Sequence, residues 1–378
     1  MMAHAGRVVF VHPSDELYGA DRILLDIIGM LPPERRAVAE VWLPTDLEHV
    51  DAPLCVELER LGTTVHHLDL PILRRAYRTP RTLAALAGRA HRFHRHLRRV
   101  APDFVYCTTS AAFLAAPIAR RAGVAHVIGH VQELWSSADC WVLRPMARAC
   151  DRLVAISEPV KAALPQSLHG RTVVVPNATT EPERVVPVDG RTGPLRYVVA
   201  SRWNGWKGHR TLLRAWDRLD EPGVLTVLGG PPASGDSVDV EALAAGLRHP
   251  DSVRVVGEVV DPHPYVEEAD VLVVPSDSPE PFGRVAIEAF ARGRAVIGSN
   301  AGGLADIVTD GVDGWLFPPG DAEALATVLS GLTRADVARA GARARATYEE
   351  RYTAERYAAD WLEALGLRAE ASSGDRDR

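Results

Sequence analysis

Residues 271–288 read VLVVPSDSPEPFGRVAIE. The first four are all aliphatic, which suits a strand buried on both faces of a parallel sheet. Prolines at 275, 279 and 281 and a glycine at 283 then force an irregular loop. A helix follows from about Gly283. Strand, loop and helix in that order make one βα unit, so the loop leaves the carboxyl end of the strand. A helix start exposes unpaired N–H groups and a partial positive charge, a setting for a diphosphate near Gly283, Arg284 and Val285. Glu280 lies in the loop and Glu288 inside the helix. At roughly 1.5 Å rise per residue, positions 283 to 288 span about 7.5 Å. The two carboxylates therefore flank an object of nucleotide size. Glu288 is placed to accept hydrogen bonds from two ribose hydroxyls, and Glu280 to hold the hydroxyls of a sugar.

The same grammar runs through all 378 residues. In the first half, β-rich runs at 7–11, 37–43, 64–68, 104–107, 126–129, 153–156 and 172–175 alternate with helical patterns such as 20–30 and 83–100. In the second, runs at 195–200, 225–228, 253–256, 271–274 and 295–298 alternate with helices at 211–219, 240–247, 283–292 and 322–329, the last capped by Asp321. Such alternation predicts parallel sheets covered by helices on both sides. The expected fold is α/β, with two Rossmann-like doubly wound domains facing each other across a cleft. Residues 178–194 hold three prolines and two glycines and no hydrophobic period, as an interdomain linker does. The expected layout is a first domain over 1–180, a linker over 181–194 and a second domain over 195–350. A C-terminal helix within 351–366 then packs back towards the first domain, and 367–378 form a disordered tail.

Composition narrows the function. Hydrophobic residues are 47% and charged residues 24%, a globular balance. No apolar run has the roughly 18 residues of a membrane span, and the run after Arg7 is too short for a signal peptide and reads as a first strand. The chain is expected to be cytoplasmic. Four cysteines in no metal-binding spacing read as free thiols. The net charge of −6 is uneven: residues 1–180 carry 21 Lys+Arg against 17 Asp+Glu, and the remainder 22 against 32. Residues 83–100 place Leu83, Leu86, Ala90, Phe93, Leu97 and Val100 on one helical face. Arg89, Arg92, His96 and Arg99 lie on the other, with Arg74, Arg75, Arg78 and Arg81 just before. This basic face reads as a solvated surface, or more sharply as a contact for an anionic membrane at the inner face or an anionic acceptor. Aromatic residues are too sparse for base stacking, so nucleic acid is not expected as a partner.

Three further motifs sit at the ends of strands. SRWNGWKG at 201–208 follows the run 195–200, and Arg202 and Lys207 can neutralise a departing diphosphate. Lys207 is one of only two lysines among 43 basic residues. YGADR at 18–22 follows the first strand, with Gly19 and Ala20 at the turn. No G-x-G-x-x-G occurs there, which disfavours a nicotinamide cofactor. HVQE at 130–133 follows the run 126–129. His130 is the candidate catalytic residue on this side, with Glu133 to orient it or bind acceptor. Ser157 and Asn177 read as a helix cap and a linker residue.

The pair Glu280-x7-Glu288 enclosing Phe282-Gly283 resembles that of the retaining family-4 glycosyltransferases, within glycosyl transferases group 1, which have the GT-B fold. The likeness continues through Gly302-Gly303, DGVDGWLF at 310–317 and Pro319-Gly-Asp321. It covers 195–330 strongly and 1–180 more loosely. It implies transfer of a sugar from a nucleoside diphosphate sugar to a hydroxyl acceptor, with retained anomeric configuration, no required metal and no cofactor besides the donor. It also implies that Arg202 and Lys207 bind the donor diphosphate, that Gly19 and Ala20 face it from the first domain, and that His130 and Glu280 contact the donor sugar. The chain departs from the family in Ala20, where a second glycine is common, in Ala178 after Asn177, and in Arg284, where an apolar residue is usual. Two other readings stay open: a nucleotide-sugar epimerase of similar fold, and a non-catalytic nucleotide-sugar-binding protein. Base, sugar and acceptor are not specified, although Arg254 and Glu258 lie near where a base would sit.

Overall fold

A computed structural model describes residues 6–17, 19–46, 52–74, 79–232 and 235–366. Tyr18, Arg75, Arg78 and the expected tail 367–378 lie outside these. The chain divides into two units, Met1–Asn177 with Ala354–Arg378, and Ala178–Thr353.

The first unit holds a seven-stranded sheet. Its strands are β1 (Val8–Val11), β2 (Ala39–Pro44), β3 (Thr64–Leu68), β4 (Phe104–Cys107), β5 (His126–Val131), β6 (Arg152–Ala155) and β7 (Thr172–Val174). They pair in parallel in the order β3-β2-β1-β4-β5-β6-β7. The second unit holds six: β8 (Arg196–Ala200), β9 (Val224–Leu228), β10 (Val253–Gly257), β11 (Val271–Val274), β12 (Ala295–Ser299) and β13 (Gly314–Phe317). Their order is β10-β9-β8-β11-β12-β13, again parallel. Each unit is thus a doubly wound α/β layer. The order reverses between β1 and β4 and between β8 and β11. Crevices at such reversals, outside the carboxyl ends of the strands, are where these sheets bind ligands.

The helices follow from their caps and apolar faces. Thr79 caps Pro80–Val100 by a capping box with Thr82, and Ser157 caps Glu158–Ala162 through Val160 N. Asp321 caps Ala322–Gly331 through the amides of Glu323 and Ala324. The helix Ala354–Ala364 buries Tyr357 and Trp361 in the first unit, and Trp361 Nε1 donates to Tyr106 Oη at 3.1 Å. Tyr352 is the C-cap of the preceding helix, Arg334–Arg351.

The structure differs from the sequence reading in several places. β5 runs two residues further than 126–129, to Val131, so His130 lies inside the strand and not after it. β13 and the 18-residue helix Arg334–Arg351 are additional elements. Only Phe93 and Leu97 of the expected apolar face on Pro80–Val100 are buried, and Leu83 is 54% exposed. Residues 181–194 are held to the second unit: Arg294 donates to Val186 O, Arg191 pairs with Asp270, and Glu181 pairs with Arg345. Asn177 is buried, with no partner for its Oδ1 among the described residues. No described helix is long and apolar enough to cross a membrane.

Candidate functional site

At the reversal of the second sheet, the loop after β8 meets the loop after β11. Asp277 N donates to Trp206 O at 2.8 Å, and Thr211 Oγ1 donates to Asp277 Oδ1 at 2.8 Å. Gly208 lets the two loops touch. Its φ is +72°, and a Cβ there would lie 1.8 Å from the carbonyl oxygen of Pro275. A backbone atom cannot yield as a side-chain tip can. Gly208→Ala should therefore lower stability by about 2–3 kcal/mol and displace Lys207. Urea unfolding checks it; an unchanged midpoint would show that the loops do not approach in this way.

The contact of the loops brings two charges together. Lys207 Nζ donates to Glu280 Oε1 at 2.7 Å, and Ser276 Oγ donates to the same oxygen at 2.5 Å. The ammonium also lies 4.2 Å from the centroid of the Trp206 ring. Glu280 is buried and Lys207 partly so, which raises the strength of their attraction above that of an exposed pair. Both hydrogen bonds fall on Oε1, and Oε2 is the other acceptor of this fixed carboxylate. Arg202 stands exposed just past β8.

Gly283 is the N-cap of the helix Arg284–Ala291 with φ +103°, and no side chain caps it. Gly302 supports the loop before it: a Cβ at 302 would lie 2.2 Å from Glu280 O, and Gly303 N donates to that carbonyl at 2.7 Å. Phe282 is buried edge-on against Tyr352. Val285 is half-buried in the first turn. Arg284 Nε donates to Glu288 Oε1 at 3.0 Å, one helical turn on, and His263 Nε2 is 4.0 Å from Glu288 Oε2. The bulky charge at 284 thus has a place: it orients the Glu288 carboxylate.

These residues fall inside a stretch of known kind. Residues 194–334 match the family described as Glycosyl transferases group 1. Residues 194–334 form a group 1 glycosyl transferase domain. D-inositol 3-phosphate glycosyltransferase of Xylanimonas cellulosilytica is 38% identical over 200 residues, 50% of this chain and 44% of that one. The lipopolysaccharide core biosynthesis glycosyltransferase LpsE of Rhizobium meliloti is 33% identical over 160 residues, 42% of this chain and 43% of its own. Both matches span less than half of the relative's length. The crystal structure of Anabaena Alr3699/HepE in complex with UDP superposes with a TM-score of 0.78 at 21% identity, covering 96% of this chain and all of that one. That likeness shows a shared two-domain α/β fold.

The group 1 domain carries Arg202, Lys207, Glu280, Phe282, Gly283, Arg284, Val285 and Glu288. The remaining predicted residues lie in the first unit. Gly19 and Ala20 open the helix Gly19–Met30, whose first-turn Asp21 is buried. Asp21 Oδ1 is 2.7 Å from His12 Nε2 and accepts from Ser14 Oγ at 2.6 Å, while His12 Nδ1 is 2.7 Å from Thr108 Oγ1. This buried cluster fixes the turn at the reversal between β1 and β4. The sequence reading missed it, because a lone His, Ser and Asp in one turn carry no period.

His130 is fully buried, its two ring nitrogens have no hydrogen-bond partner among the described residues, and the ring packs edge-on against Tyr106. The ring thus lies within β5, where the sequence reading set it just past the end of the strand. Gln132 and Glu133 emerge at the carboxyl end instead. Gln132 Nε2 donates to Thr108 O at 2.8 Å, and Glu133 Oε2 accepts from Ser110 Oγ at 2.7 Å. Burial raises the Glu133 carboxyl above its usual range, against the opposing pull of the Ser110 hydroxyl.

Burial pushes His130 down to about 3 and, in the second unit, His209 down to about 4. Both are neutral when folded, whereas an unfolded histidine takes a proton below about 6.5. The unfolded state then binds more protons, so each unit should lose about 1.4 kcal/mol per pH unit from its histidine between about pH 6 and pH 4. Urea midpoints near pH 7 and pH 5 measure this. His130→Leu should flatten the slope of the first unit, and an unaltered slope would contradict the assignment.

Three arginines of the expected basic face are paired within the fold. Arg74 and Arg89 bind Asp46, and Arg89 and Arg92 bind Asp69. Asp15, Cys55 and His67 form the group of potential metal ligands found among the described residues, within 4.8 Å of one another. Asp15 is accounted for without a metal, since it accepts from Cys55 N and His67 Nε2, both at 2.9 Å.

Proposed function

We propose that the chain transfers a sugar from a nucleoside diphosphate sugar to a hydroxyl of a glycan, glycolipid or specialised metabolite. The anomeric configuration is retained and no metal is required. The observation that carries this reading is the Lys207–Glu280–Ser276 arrangement beside the uncapped helix start at Gly283, at the reversal of the second sheet. Lys207, Arg202 and the helix start offset the negative charge that grows on the departing diphosphate. Glu280 Oε2 takes sugar hydroxyls, while its Oε1 holds Lys207. Glu288 takes the ribose hydroxyls, oriented by Arg284. The acceptor hydroxyl attacks the anomeric carbon on the face that the diphosphate leaves, and its proton passes to the leaving phosphate oxygen. Gln132 and Glu133 are the acceptor-side groups in this reading.

The UDP and UDP-glucose in the HepE crystals support testing uridine donors first. A panel of donor sugars with hydroxyl acceptors, followed by NMR of the product, tests the chemistry. The expected result is a glycoside of unchanged anomeric configuration, formed at the same rate with EDTA present. An inverted product, or a rate abolished by EDTA and restored by metal, would refute those parts. Conversion of donor to an epimeric sugar without acceptor would favour an epimerase.

A further inference from the structure

The helix Ser137–Ala147 leaves the carboxyl end of β5 a few residues after Glu133 and carries an unusual surface. Trp141 is 83% exposed, and its neighbour Val142 is exposed as well. Arg144 and Arg148 follow at three and seven residues, so both lie on the face of Trp141. Both are exposed, and neither forms an ion pair among the described residues. Arg171 extends the positive charge: it donates to the carbonyls of Arg148 and Cys150 and faces solvent. Beside the helix runs a groove of about 550 Å³ whose walls include Cys140, Pro145 and Leu164. The patch lies in residues 1–180, the half of the chain that carries 21 Lys+Arg against 17 Asp+Glu.

We propose that this face docks on an anionic phospholipid surface. An indole is most stable where an apolar body meets a wet interface, which is the level of lipid headgroups. Arginines on the same helical face, which also line the groove, pair with headgroup phosphates, and its apolar wall of Cys140, Pro145 and Leu164 receives part of an acyl chain. A soluble anion would use the arginines alone and leave Trp141 and the groove without a role. On Pro80–Val100, Arg89 and Arg92 are paired with Asp46 and Asp69, so Arg92 serves as a control for a paired surface arginine. Docking here does not rest on the transfer reading: a chain that bound no nucleotide would still sediment with vesicles.

The test is co-sedimentation of the full chain with phosphatidylcholine vesicles, with and without a quarter phosphatidylglycerol. Binding is expected only to the anionic vesicles, and weaker in high salt. Trp141→Ala, and Arg144→Glu combined with Arg148→Glu, should each lower the partition coefficient about tenfold or more. Arg92→Glu should leave it unchanged. These positions are exposed, and unaltered melting temperatures would confirm intact folds. Negligible or equal binding to both vesicles overturns the proposal, as does loss with Arg92→Glu but not with Trp141→Ala. Retention on a sulfated glycan without vesicle binding would also overturn it.

Discussion

Replacing Lys207 by alanine should cut sugar transfer by about 10²–10³-fold, the effect of removing one preorganised charge stabiliser from a transition state. Two consequences separate this from simple unfolding. The first is energetic. Glu280 is 6% exposed and would keep Ser276 while losing its cation. An uncompensated buried carboxylate should lower stability by about 2 kcal/mol, less than for a fully buried pair because Lys207 keeps some solvent. The second is a double-mutant cycle. Lys207→Ala combined with Glu280→Gln should regain most of that stability, since no buried charge is then left alone, yet regain no transfer. Recovery of transfer in the double variant would mean that Lys207 serves only to neutralise Glu280. A single variant with normal turnover would remove Lys207 from the donor site.

Arg294→Leu should have the largest effect on stability. Arg294 is entirely buried, yet its guanidinium meets no carboxylate squarely. Nη1 donates to Val186 O and Arg292 O, both at 2.8 Å, and Nη2 to Glu267 O at 2.6 Å. Burial pushes its pKa down to about 10, with Arg191 adding to the fall. Leucine would fill part of the volume but leave the carbonyls of Val186 and Arg292 without donors, while Glu267 O keeps Arg191 Nη2 at 2.8 Å. Each buried orphan costs about 1–3 kcal/mol, so a loss of about 3–5 kcal/mol is expected after local relaxation. Because Val186 lies in the stretch read as a linker, the variant should also expose residues 181–194. Limited proteolysis within that stretch, together with urea unfolding, checks both. Wild-type stability with slow cleavage would show that these bonds do not hold the segment.

The sheets were legible because strands buried on both faces are written as unbroken aliphatic runs. VLVV at 271–274 and FVYC at 104–107 needed only their length and their neighbours to be placed, and both strands were found at those bounds. The helix Arg334–Arg351 was illegible for the opposite reason. It packs through Val337, Ala340, Gly341, Ala344 and Tyr348, so its buried face is mostly small residues with little hydrophobic contrast. β13 (GWLF) is short, and its glycine reads as a turn. In the candidate site, Glu280 and Lys207 stood out because charged residues in Pro- and Gly-rich loops beside buried strands are costly without a purpose, and Glu288 by its spacing from Glu280. Their partners did not, since Ser276, Thr211 and Asp277 meet only once two loops fold together. His130 was read as following β5 because the end of that strand was drawn two residues early. A strand end set by hydrogen bonding to its neighbours, not by its own residues, decides which side chain emerges.

The direct test of the central claim is a thermal-shift panel of UDP, GDP, ADP and TDP, with their sugars, on the wild-type chain and on Lys207→Ala. A ligand that binds only the folded state stabilises it as RT ln(1 + [L]/Kd), so at one hundred times Kd the gain is about 2.7 kcal/mol. The account predicts that at least one nucleoside diphosphate raises the wild-type melting temperature and that Lys207→Ala loses most of that shift. A wild-type chain indifferent to every nucleotide in the panel would contradict it.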